Sequence, residues 1–239
     1  MRVLLVDAVE WAPVYRSEEP LRSVPSWFQR HFQSRSALDW VTWGVTQDPG
    51  ESSVEGLDAV ILSGSPRDAW VDDPFNDRML DLVGDVLERQ LPFLGVCYGH
   101  QILCRRLGAR VGRHPAGLQL GPTVVTLSKE GRKDGLFRGI DQEFEALSGH
   151  ADYVAEVPED AVLLASSEDT SIEVVRAGET AYGVQFHPEM DAEVLQYLWR
   201  PRIGDWSDRV SFDLPSRIAS IRDTPQATRI LTNFIDQIQ

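Results

Sequence analysis

The chain opens on an unbroken apolar run, Arg2 to Ala8 (RVLLVDA), with no polar alternation. Such a run predicts a strand covered on both faces. A helix is expected over Trp27 to Phe32, entered after Pro25, and a second strand over Leu38 to Trp43, with Asp48-Pro49-Gly50 as its turn. Asp58 to Ser63 (DAVILS) reads as a third strand that runs into Gly64-Ser65-Pro66. From Phe75 to Gln90 the period changes. Phe75, Met79, Leu82, Val83, Val86 and Leu87 fall at helical spacing, with Asp73 as N-cap and Pro74 at the first position. Pro92 to Val96 returns to strand and Tyr98 to Leu107 to helix.

Strand and helix in alternation call for a mostly parallel sheet with helices on both faces, an α/β fold. The second half differs: Thr123 to Leu127, Glu143 to Leu147, Ala161 to Ser166, Ile172 to Arg176 and Ala181 to Phe186 are short strand-like runs with little helix between them. They are expected to form an antiparallel extension of the same sheet. A helix at Asp191 to Trp199, an irregular stretch from Arg200 to Asp223 and a last helix from Pro225, capped by Thr224, close the pattern. No internal repeat or long linker divides it, so residues 1–239 are read as one domain.

Composition changes the picture in three places. With 239 residues, 42% of them hydrophobic, the chain can bury a core without a metal or disulfide framework. Cys97 and Cys104 lie seven residues apart; on one helix both would point the same way, so a bridge between them is geometrically poor and a reducing, cytoplasmic setting is expected. No signal-peptide pattern and no stretch of membrane-spanning length is present in the sequence. A formal charge of −14 argues against nucleic acid or an anionic membrane as partner. Lys129 and Lys133 are the only lysines, and an acidic, Arg-rich chain suits a high-salt cytosol, although genomic base composition produces the same excess. Absence of stabilisation in a KCl melting series would count against the halophile reading.

Gly95-Val96-Cys97-Tyr98-Gly99 lies where a buried strand meets a helix. This is the pattern of a nucleophile elbow with Cys in place of Ser, a turn so sharp that the flanking glycine positions have no room for a side chain. Cys97 would project at a helix N-terminus, where unpaired N–H groups favour thiolate. The alternative is a buried, inert thiol, which describes most free cysteines. Far along the chain, Gly183-Val184-Gln185-Phe186-His187-Pro188-Glu189 places His187 and Glu189 two apart in an extended segment, their side chains on one side. Glu189 could hold one ring nitrogen while the other takes the thiol proton, a Cys-His-Glu triad. Taken alone, the pair reads as a solvated turn; with the elbow, it supplies the second half of one mechanism.

These motifs, GVCYGHQ and GVQFHPE together with Ser63-Gly64-Ser65-Pro66, resemble the class I, triad-type glutamine amidotransferases. The resemblance runs from the first strand to about Glu189 and implies a flavodoxin-like three-layer sandwich. It also implies hydrolysis of the glutamine γ-amide through a γ-glutamyl thioester, with release of glutamate and ammonia and without a cofactor or metal. By position, Cys97 is the nucleophile, His187 the base and acid, and Glu189 its orienting carboxylate. The backbone N–H groups of Ser65 and Tyr98 would form the oxyanion hole; serine at 65 departs from the family's usual glycine. Gly64, Gln101, Gln119, Gly149 and His150 would surround the substrate, and a polar surface loop is the competing reading around His150.

Within the family, Ser63 to Trp70 and the Cys-Tyr-Gly-His-Gln run look more like the free-standing amidotransferase-like and γ-glutamyl peptidase branch. The glutaminase subunit of GMP synthase is the alternative, and a separate ATP-dependent synthetase its implied partner, because no Walker motif occurs in the chain. A regulatory binding protein of the same fold and a thiol redox protein are the other classes considered; the intact triad argues against the first and His187-Pro188-Glu189 against the second. Cys104 is expected in the core, Arg200 to Asp223 has no assigned role, and the tryptophans read as too scattered for a stacking platform.

Overall fold

In the computed structural model, which describes residues 1–9, 23–33, 38–45 and 53–238, the first strand is β1 (Arg2–Asp7). It pairs in parallel with β2 (Asp39–Gly44) on one side and β3 (Ala59–Leu62) on the other. β3 pairs in parallel with β4 (Phe93–Val96). The unbroken apolar runs have the expected cause. Val3 and Leu5 of β1 enter one core cluster, while Leu4 and Val6 enter a second on the opposite face. β3 divides in the same way, with Ala59 and Ile61 on one side and Val60 and Leu62 on the other.

Two helices cover the second cluster. They are α2 (Pro74–Glu88), which contributes Met79, Val83 and Val86, and α3 (Tyr98–Arg106), which contributes Ile102 and Leu103. The first cluster takes in Trp27 and Phe28 of α1 (Val24–Gln29), Leu195 of α4 (Ala192–Trp199), Ile218 of α6 (Leu214–Ala219) and Ile230 and Phe234 of α7 (Pro225–Asp236). A short α5 (Ile203–Trp206) lies between α4 and α6. The result is the anticipated sandwich of helices, sheet and helices. Asp73 caps α2 as expected, accepting from the N–H groups of Phe75 at 2.9 Å and Asn76 at 2.8 Å.

Beyond α3 the chain forms β5 (Val111–Arg113), β6 (Gln119–Leu127), β7 (Glu143–His150), β8 (Asp152–Val154), β9 (Ala161–Ser167), β10 (Val174–Ala177) and β11 (Ala181–Val184). The main sheet has the order β2-β1-β3-β4-β11-β10-β9-β6-β7. Its antiparallel part is β10, β9, β6 and β7. The expectation for the last run needs correction: β11 is antiparallel to β10 but parallel to β4, so it completes the parallel half. The small β5-β8 sheet was not anticipated, because three-residue strands carry too little periodicity.

Three further expectations change. Thr224 occupies the N-cap of α7, yet its side chain makes no capping bond and its hydroxyl lies buried without one. The Arg200 to Asp223 stretch is built largely from short helical turns, α5 and α6 among them. Cys97 lies ahead of α3 with φ of +50°, so the helical spacing used for the two cysteines does not apply; both thiols are free and buried. The turn at residues 48–50 lies outside the described residues. No helix among the described residues is long and apolar enough to cross a membrane.

Candidate active site

The carboxyl ends of β4 and β11 lie side by side, Val96 opposite Val184, and each strand delivers one half of the site. Cys97 follows β4 directly and its N–H donates to the Val184 carbonyl at 2.7 Å. Its φ of +50° and ψ of −97° mark the strained turn of an elbow. The flanking glycines are steric requirements. A β-carbon at Gly95 would stand 2.4 Å from the Gly99 carbonyl oxygen, and one at Gly99 would stand 2.4 Å from that of Leu62.

Three residues past β11, the His187 N–H donates to the Leu147 carbonyl of β7 at 2.8 Å, which fixes where the imidazole begins. Nδ1 of His187 lies 2.8 Å from Oε1 of Glu189, and both side chains are buried. The Cys97 sulfur is the ring's other polar neighbour. Burial opposes charge on the ring, but the Glu189 carboxylate and the Cys97 sulfur together override it and raise the His187 pKa well above its ordinary value. Gly64 and Gly149 flank the ring closely: a β-carbon at Gly64 would meet Cε1 at 3.1 Å, and one at Gly149 would meet Cδ2 at 3.5 Å.

Ser65 sits in the loop after β3, and Tyr98 opens α3. Neither backbone N–H donates to another described residue, and the first-turn N–H of a helix has no partner within the helix. Both residues are tied to α2. The Tyr98 hydroxyl donates to Oδ1 of Asn76 at 2.5 Å, and Asn76 in turn donates to the carbonyls of Asp68 and Val71 in the Ser65 loop.

A cavity of about 700 Å³ opens over Cys97 and His187, and Gly64, Ser65, Gln101, Gly149 and His150 line it. Gln101 is less free than expected, since its amide donates to the Asp152 carbonyl at 3.1 Å and to Oε1 of Gln185 at 3.2 Å. Gln119 does not line the cavity. Its amide turns to the Gly117 carbonyl and to His114, while the neighbouring Gly117 and Leu118 reach the wall. Burial pushes His150 down to about 3, so its ring is neutral near pH 7. Nδ1 faces the Asp152 carbonyl at 2.9 Å, which makes it the N–H donor and leaves buried Nε2 as a bare acceptor with no protein partner. Among the described residues no cluster of three or more His, Cys, Asp or Glu could hold a metal.

The family model for class I glutamine amidotransferases matches residues 29–196, a span that includes Cys97, His187 and Glu189. The chain belongs to this family. γ-Glutamyl peptidase 5 of Arabidopsis thaliana is 34% identical to this chain over 149 residues, 62% of the chain and 59% of the peptidase. The glutamine-hydrolyzing GMP synthase of Thermosipho africanus is 29% identical over 197 residues, 80% of the chain but 34% of that protein. The chain thus matches less than two thirds of the length of either relative. A solved glutamine amidotransferase from Thermotoga maritima has a TM-score of 0.78, covering 99% of this chain and 97% of its own at 20% identity, a likeness of fold.

Two sets of contacts at the site could not be read from the sequence, although Asp152 itself falls in the loop expected to border the substrate. Asp152 forms a rim network, accepting from Trp70 Nε1 at 3.1 Å and pairing with Arg113 at 3.1 Å. Trp199 and Trp206 are not scattered. Their ring centroids lie 5.4 Å apart on the cavity wall, brought together by the short turns between α4 and α5 that no periodicity announces.

Proposed function

We propose that this single domain hydrolyses the γ-amide of glutamine or of a γ-glutamyl compound through a thioester on Cys97. One observation carries the reading: the His187 ring is bonded to Glu189 through Nδ1 and has the Cys97 sulfur as its other polar neighbour, with its pKa raised well above the ordinary value. The proton therefore rests on His187, and Nε2 is the nitrogen left to face the sulfur. Sulfur attacks the γ-carbonyl carbon, and the carbonyl electrons move onto oxygen, opposite the N–H groups of Ser65 and Tyr98. Two such preorganised donors contribute ~3 kcal/mol each to lowering the barrier. The imidazolium then protonates the departing nitrogen, the C–N bond breaks, and water activated by His187 cleaves the thioester to glutamate.

Gly149 and His150 are assigned to the glutamyl α-carbon groups, with Nε2 of His150 accepting from the α-ammonium; Gln101 borders the same end. Incubation with glutamine and with γ-glutamyl dipeptides, followed by assay of glutamate and ammonia, tests the reaction. A glutamine-analogue alkylator should label Cys97 and block both. Loss of both labelling and turnover in Cys97→Ala supports the reading, whereas turnover that survives Cys97→Ala would end it.

The GMP synthase relatives favour a second reading, in which the ammonia passes to a separate synthetase. Affinity capture from the native host that brings down an ATP-dependent synthetase, together with glutaminase activity rising on its addition, would select it. A cytoplasmic setting suits either use.

A further inference from the structure

The cavity is much larger than a glutamyl group needs. Pockets of ~300–1,000 Å³ hold drug-sized ligands, and the glutamyl half fills only the end beside Cys97, Gly149 and His150. The rest of its wall includes Trp199, Arg202, Trp206 and Arg209, all outside the catalytic motifs. The two indoles meet edge to face at 78°, and a guanidinium lies 5.8 Å from the centre of each, Arg202 over Trp199 and Arg209 over Trp206. Arg202 donates to the Leu198 carbonyl. Arg209 is exposed and pairs with no carboxylate among the described residues.

This wall is continuous with the catalytic end of the cavity. A β-carbon at Gly149 would lie 3.4 Å from Leu195 Cδ1 and 3.5 Å from His187 Cδ2, so Leu195 of α4 and the His187 ring flank the same point. Trp199 follows Leu195 by four residues, one helical turn further along the same face. An indole pair offers faces and edges to another aromatic ring, and a guanidinium offers a carboxylate a charged donor.

We propose that Trp199, Trp206 and Arg209 form an amine-side subsite that selects γ-glutamyl amides of aromatic amino acids, the ring against the indoles and the α-carboxylate on Arg209. The proposal rests on the γ-glutamyl hydrolase reading above. The chemistry is unchanged: the aromatic amino acid leaves as its free amine with the proton from His187, and water releases glutamate.

The test compares kcat/KM for γ-glutamyl-phenylalanine with that for γ-glutamyl-alanine. The expected preference is about tenfold or more for the aromatic amide, collapsing towards unity in Trp199→Ala with Trp206→Ala. If that variant does not fold, Arg209→Ala, at an exposed side chain, takes its place. It should reduce the preference for γ-glutamyl-phenylalanine over γ-glutamyl-phenethylamine, which lacks the carboxylate. A ratio near one in the unaltered protein, or one unmoved by these substitutions, overturns the proposal. If no amide is cleaved, the hydrolase reading fails separately, and calorimetric binding of the same ligands to Cys97→Ala decides the subsite. Tighter binding of the aromatic amide supports it, and equal or absent binding rejects it.

Discussion

Arg30 donates to the backbone carbonyl of Glu189 at 2.8 Å while pairing with Asp191 at 2.6 Å. Nε2 of His31 lies 3.1 Å from the same carbonyl. The end of α1 thus clamps the segment that carries the carboxylate holding His187. A planar guanidinium that binds a carbonyl and a carboxylate together fixes orientation, which a methylene chain or an ammonium cannot do. Arg30→Met is expected to lower kcat about tenfold to a hundredfold with KM little changed, since misplacement of an orienting group acts on the reacting geometry. Arg30→Lys should restore only part of the loss. Steady-state kinetics on glutamine measure both, and a pure KM effect would assign Arg30 to substrate binding instead.

The Glu189 charge is one of the contributions that keep His187 protonated. Glu189→Gln preserves an oxygen near Nδ1 but removes the charge. The His187 pKa should then fall, and the alkaline limb of the kcat/KM profile, where the imidazolium that protonates the leaving amine loses its proton, should move to lower pH. The rate should drop by about 10²–10⁴. A pH–rate profile with an unmoved alkaline limb would separate Glu189 from the titration.

The elbow makes a steric prediction. The β-carbons of Gly95→Ala and Gly99→Ala would each meet a backbone oxygen at 2.4 Å, and a backbone cannot rotate away as a flexible side chain can. Each substitution should cost about 3 kcal/mol or more. Gly112→Ala, with nothing within 4 Å of the new carbon and no positive φ, should fall within about 0.5 kcal/mol of the parent. Urea denaturation of the three variants provides the comparison.

What could be read from the chain follows from how local each signal is. The parallel strands were legible because burial on both faces demands apolar residues at every position, as in Ala59 to Leu62. The elbow was legible because its glycines answer a steric demand within five residues. The direction of β11 was not, since a strand shared between a parallel and an antiparallel neighbour has no pattern of its own. Arg30 meets Glu189 across 159 positions and Trp70 meets Asp152 across 82, so neither contact leaves a local trace. Gln119 faces away because the carbonyl of Gly117, two residues before it, and His114 take its amide, an outcome decided by the turn rather than by the residue type.

Glu173 is a titrating group outside the chemistry. Its carboxyl is wholly buried and accepts from the Ser167 hydroxyl at 2.8 Å, while its second oxygen has no partner among the described residues. Burial pushes its pKa up from 4.5 to about 7, with Asp169 adding to the rise and the Ser167 bond opposing it. Between those two values the folded chain holds this proton and the unfolded chain releases it. Stability from this group is therefore fully present below pH 4.5 and lost as the pH climbs to 7, by about 3 kcal/mol in all. Glu173→Gln cannot ionise and should remove that slope. His100 and His150, whose pKa values burial lowers to about 4 and about 3, act in the opposite sense, destabilising the fold as the pH falls below 6.5. They are common to both proteins and cancel in the comparison. Urea midpoints at pH 5 and pH 8 should therefore show the variant gaining on the parent at the higher pH, and an equal gap at both would mean that Glu173 is already ionised in the folded chain at pH 5.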